Sequence, residues 1–104
     1  MDELLLKSAE IIENNFTKGM FFDSAGNYCM LGALDAASSS VQLHKKDWFD
    51  ARDRLAIVVR KELEKFTTYI PIGVSNPIVL YNDNYCSGGV EAAKIFREAA
   101  EVEL

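Results

Sequence analysis

Apolar residues recur every three to four positions over three separate stretches of the chain, and that spacing predicts amphipathic helices. Over 2–15, Leu5, Ala9, Ile12 and Phe16 form one stripe, widened by Leu4 and Ile11, while Lys7, Glu10 and Glu13 lie opposite. Asp2 is placed to cap its start, and Asn14, Asn15 and Gly19 to stop it. Over 47–66, Trp48, Ala51, Leu55, Val58, Val59, Leu63 and Phe66 repeat in the same way behind Asp47 as cap, with Asp50, Arg54, Lys61, Glu64 and Lys65 outward. Over 88–102, Ala92, Ile95, Phe96, Ala99 and Val102 face inward against Glu91, Lys94, Glu98 and Glu101.

The stretch 28–38 has a different pattern: Cys29, Met30, Leu31, Gly32, Ala33, Leu34, Ala36 and Ala37 leave Asp35 as its one charge. A helix apolar all round is a buried helix. Gly32 in its middle disfavours helix by about 1 kcal/mol relative to alanine, so the expected compensation is the close approach of another backbone there. Two short apolar runs remain. Met20-Phe21-Phe22 is closed by the turn formers Asp23 to Asn27, and Ile78-Val79-Leu80-Tyr81 ends in Asn82-Asp83-Asn84. Pro71, Gly73 and Pro77 read as excluding helix from 67–77, and Ser38 to Lys46 reads as an exposed connection. The expected fold is mainly α, with four helices at about 2–15, 28–38, 47–66 and 88–102, in a single domain over 1–104. A short two-stranded ribbon pairing 20–22 with 78–81 would make it α+β.

Asn27-Tyr28-Cys29-x-x-Gly32 and Asn84-Tyr85-Cys86-x-x-Gly89 match, and each opens an expected helix. A duplication would put Cys29 and Cys86 in equivalent places about a pseudo-two-fold axis. We read the match as chance likeness between two turn-to-helix junctions, where Asn, Tyr and Gly are common.

Composition narrows the function classes. A hydrophobic share of 49% in 104 residues is enough for one buried core. The net charge of -5, spread among interleaved cations, disfavours direct nucleic-acid binding. No run approaches the ~20 apolar residues of a membrane span, and the start lacks the basic and apolar regions of a signal peptide, so a cytoplasmic protein is expected. Two cysteines without Cys-x-x-Cys spacing and a single histidine suggest neither a disulfide scaffold nor a zinc site, and no cofactor is implied.

Three constellations carry candidate chemistry. Cys29 at a helix start, with His44 as base and Asn82 or Asp83 orienting the imidazole, has the residue types of a thiol hydrolase. Asn82 to Gly89, through Asn82-Asp83-Asn84 and Ser87-Gly88-Gly89, could hold a small nucleotide at a helix N-terminus. Tyr69, Tyr81, Asn82, Asp83, Asn84 and Tyr85 gather around the irregular segment and form a candidate partner surface.

Cys29-Met30-Leu31-Gly32-Ala33-Leu34, followed by Tyr81-Asn82-Asp83 and a closing Ala-rich helix, resembles a family of small uncharacterised bacterial and phage domains. The resemblance spans most of the chain. It implies a helical domain and no particular activity, and it marks Cys29, Gly32, Asn82 and Asp83 as positions of interest. The functional expectation is a noncatalytic protein-binding module, phage-encoded by that resemblance, that docks on a host protein and modulates it, a defence enzyme included. Its partner is expected to be another protein or, across the apolar second helix, a second copy of the chain.

Overall fold

The computed structural model describes residues 2–39 and 45–103, and over them the fold is five helices in chain order. They are α1 (Glu3–Glu13), α2 (Met30–Ser39), α3 (Lys45–Leu63), α4 (Ser75–Asn84) and α5 (Gly89–Ala99). Most of the connection read over 38–46, His44 included, lies outside the described residues.

α1 starts as its sequence requires: the Asp2 carboxylate accepts from the Leu5 N–H at 3.1 Å, satisfying one of the donors a helix start leaves unpaired. Leu4, Leu5, Ala9 and Ile12 are buried between α5 and α2, the two helices on which α1 mainly packs. α2 buries Met30, Leu31, Gly32, Ala33, Leu34 and Ala37, the nearly all-round burial its composition implies. α3 begins two residues before its expected cap, so Asp47 stands in the first turn, and its apolar face of Ala51, Leu55, Val59 and Leu63 rests on α4 and α5. Arg54 ties it to both chain ends, donating from Nε to the Val102 carbonyl at 3.0 Å and from Nη1 to the Asp2 carboxylate at 3.2 Å. Among the described residues no helix is long and apolar enough to cross a membrane.

The second half departs from expectation. Residues 78–81 are the middle of α4, not a strand, and no ribbon pairs them with 20–22; the latter meets Tyr28 instead, through one isolated bridge at Phe22. Pro77 does not prevent the helix because it is the third helical residue, where a backbone N–H has no intrahelical acceptor to lose. Ile78, Tyr81 and Asn82 are buried with helical spacing of three and four. What reads as a polar turn, Asn82-Asp83-Asn84, is therefore the last turn of α4. The extra helix also separates the two Asn-Tyr-Cys stretches in register: Gly32 is the third residue of α2 and Gly89 the first of α5.

Candidate functional site

Between α1 and α2 the chain makes a long loop over the outside of α2 and α4, and hydrogen bonds hold it at several points. Asn82 is 1% exposed. Its Oδ1 accepts from the Met30 N–H at 3.0 Å, so a side chain of α4 caps the start of α2. Its Nδ2 donates to the Thr17 carbonyl at 3.1 Å and to Asp83 Oδ1 at 2.9 Å. Asp83 Oδ1 in turn accepts from the Gly19 N–H at 2.9 Å. Further along, the Cys29 N–H donates to the Phe21 carbonyl at 3.1 Å, and the Asp23 carboxylate closes a turn on the N–H groups of Ala25 and Asn27. Those amides hold the Asp23 carboxyl below the usual carboxylate range, the Asn27 N–H most of all.

The loop lies so close to α2 that a Cβ on Gly32 would overlap the Phe21 carbonyl oxygen and stand 2.8 Å from its carbon. The close backbone approach expected at Gly32 is this contact. Although its backbone is held in this way, the tip presents Met20, Phe21 and Phe22 at 53%, 55% and 68% exposure. They form an apolar ridge with a hollow on each side. The first, about 180 Å³, has apolar walls from Met20, Phe21, Leu31, Ile78 and Val79, with Cys29, Asn82 and Asp83 at its polar end. The second, about 540 Å³ and more open, runs from Phe21 and Phe22 across Gly32 and Ala36 to Asp35.

Cys29 is half-buried where α2 begins, its Sγ accepting from the Gly32 N–H at 3.3 Å. Burial pushes its thiol above the ordinary cysteine range; the Gly32 and Leu31 amides pull it back, and the negative charge of Asp83 raises it again. The group is therefore a neutral thiol at pH 7, a weak nucleophile. Iodoacetamide is expected to label Cys29 at pH 7 more slowly than it labels a free cysteine peptide, with the rate still rising at a pH where the peptide's has levelled off; labelling as fast as the peptide at pH 7 would contradict the burial.

The sequence-derived candidates are thus divided. Cys29, Asn82 and Asp83 come together at one hollow, and Gly32 lines the other. The imidazole assigned as a base, His44, lies outside the described residues. Tyr81 is 2% exposed and belongs to the core, so it presents nothing to a partner. Tyr69 is exposed, while Tyr85 is half-buried and stacks on Phe66 with ring centroids 5.2 Å apart. Asn84 donates to the Leu80 carbonyl of its own helix. At Gly89 the start of α5 packs against the Ile12 and Glu13 carbonyls, while Gly88 stands in open space. Among the described residues no group of His, Cys, Asp and Glu could hold a metal ion. The ridge itself was not a sequence candidate. Its signal was there in three successive large apolar residues without alternation, a pattern that does not suit a half-buried strand.

Fold and site together define a small, mainly helical domain with a tethered apolar loop beside a thiol-, amide- and carboxylate-lined hollow. The chain belongs to a family of unknown function (DUF6197), whose model matches residues 1–102. No curated protein and no solved structure matches it.

Proposed function

We propose that the chain is a noncatalytic protein-binding module whose contact surface is the Met20–Phe22 ridge with the hollows beside it. One observation carries this reading: the ridge backbone is tethered to α4 and α2, yet its three side chains stay more than half exposed. Ordering a loop opposes folding by about 1–2 kcal/mol per residue, and burying a large apolar side chain returns about 1.5–3 kcal/mol. A tethered loop that leaves three such side chains in water makes sense when a partner covers them.

The competing readings have less support. Thiol hydrolysis needs a thiolate that the burial of Cys29 disfavours. The nucleotide reading rests on residue types over 82–89, of which Asn82 and Asp83 are engaged in holding the loop. The contact surface also shifts from the tyrosine-rich segment to the ridge, because Tyr81 is spent on the core. A phage-encoded chain acting in the host cytoplasm, docked on a host protein such as a defence enzyme, is part of the same proposal; small size and net acidity motivate it.

The test compares three immobilised proteins in a lysate of the cells that express the chain: the native protein, Met20→Ser/Phe22→Ser, and Tyr69→Ser/Ile72→Ser as a control on other exposed residues. The expected result is a protein, identified and then re-tested in pure form, that binds the native and control proteins and loses at least about tenfold in affinity for the ridge variant. Equal binding to all three would overturn the reading.

A further inference from the structure

Resting on that reading, the first hollow indicates what the partner carries. Its walls are apolar along Met20, Phe21, Leu31, Ile78 and Val79, and its polar end holds a carboxylate. Asp83 uses Oδ1 for both the Gly19 N–H and Asn82 Nδ2, while Oδ2 takes no hydrogen bond and no ion pair among the described residues. Two further carboxylates border the ridge, against the single cation Lys18 just before it. Asp23 follows Phe22 and is held by neutral donors, the amides of Ala25 and Asn27 and the Thr17 side chain, and Asp35 stands exposed on the wall of the second hollow. A second copy of this chain would bring the same carboxylates to the interface, so charge argues against self-association.

We infer that the hollow receives a lysine or arginine side chain of the partner protein, its methylenes lying on the apolar walls and its cation on Asp83 Oδ2. Both side chains combine a long apolar stem with a charged tip, and the hollow's lining combines apolar walls with one carboxylate. Neighbouring apolar residues of the partner then cover Phe21 and Phe22.

Three six-carbon probes separate these features: hexylammonium, hexanol and hexanoate, each titrated into the full chain while amide signals of Gly19, Phe21, Cys29, Leu31 and Val79 are followed by NMR. Hexylammonium is expected to bind about fivefold more tightly than hexanol, and hexanoate most weakly. Asp83→Asn keeps an Oδ1 acceptor for Gly19 and Asn82, and is expected to bring the amine down to the alcohol. In the native chain, raising salt from about 20 to 500 mM should weaken the amine and leave the alcohol unchanged, a readout that needs no variant. Alcohol and amine binding equally would overturn the cation while leaving an apolar contact surface intact. No shift with any probe would overturn the hollow as a receptor, and the ridge substitutions would still decide the parent reading by themselves.

Discussion

Asn82→Ala is expected to destabilise the fold by about 3 kcal/mol, lowering the thermal midpoint by about 15 °C. The reason is the number of groups that depend on one buried amide. Without it, the buried Met30 N–H at the start of α2 loses its acceptor and the part-buried Thr17 carbonyl loses a donor. Each buried polar group left unpaired costs about 1–3 kcal/mol, which makes the sum larger than that of an ordinary surface hydrogen bond. Asn82→Asp supplies a control on chemistry. It keeps an acceptor for Met30 but turns a carboxylate oxygen toward the Thr17 carbonyl and Asp83, so at neutral pH it should be no more stable than the alanine variant. Urea unfolding followed by circular dichroism checks both, and a change under about 1 kcal/mol for Asn82→Ala would show that water replaces the amide at no loss.

Gly32→Ala is expected to destabilise by about 3 kcal/mol, although alanine in an unobstructed helix would be favoured over glycine by about 1 kcal/mol. The sign of the effect is therefore the test. The added methyl would overlap the Phe21 carbonyl, and that peptide cannot step aside freely because it also accepts from the Cys29 N–H. Two results should appear together: a lower unfolding midpoint, and a displaced ridge seen as amide shifts at 20–22. A stabilised Gly32→Ala would mean that the loop does not press on α2. Gly89 is held in the same way against the Ile12 and Glu13 carbonyls, so Gly89→Ala should act on the α1–α5 junction and leave the ridge signals in place.

Both glycines and the amide show where sequence reading succeeds and where it stops. The stripes of α1, α3 and α5, the Asp2 cap and the burial of α2 follow from local pattern, except that α3 ends at Leu63 and leaves Phe66, expected on its inner stripe, exposed. The backbone approach at Gly32 was legible because glycine in the middle of an apolar helix has few other uses. What sits on Gly32 was not, since the loop tip lies outside the helix and its placement depends on α4. That helix escaped notice for concrete reasons: it spans ten residues, carries Pro77 in its first turn and includes the β-branched Ile78 and Val79. Its buried residue Asn82 is polar and sits among turn formers, where Asn is ordinarily a surface residue. The Met30 N–H and the Thr17 carbonyl, 52 and 65 positions away, explain why it is inside.

The candidate site divides along the same line. Cys29, Asn82 and Asp83 could be named from their types, and they do meet at one hollow. Asn82 and Asp83 hold the loop, and Cys29 lies against the Gly32 N–H with its thiol pushed up by burial. The exposure of Met20, Phe21 and Phe22 is a property of three-dimensional tethering, so no window of sequence contains it.

Backbone ¹⁵N relaxation across residues 17–29 tests most directly whether an apolar ridge is held in place for a partner. Order parameters at Met20, Phe21 and Phe22 are expected to equal those within α1 and α2, at about 0.85. Values below about 0.6 over those three residues would mean a loop that moves freely, and a preformed contact surface would not exist.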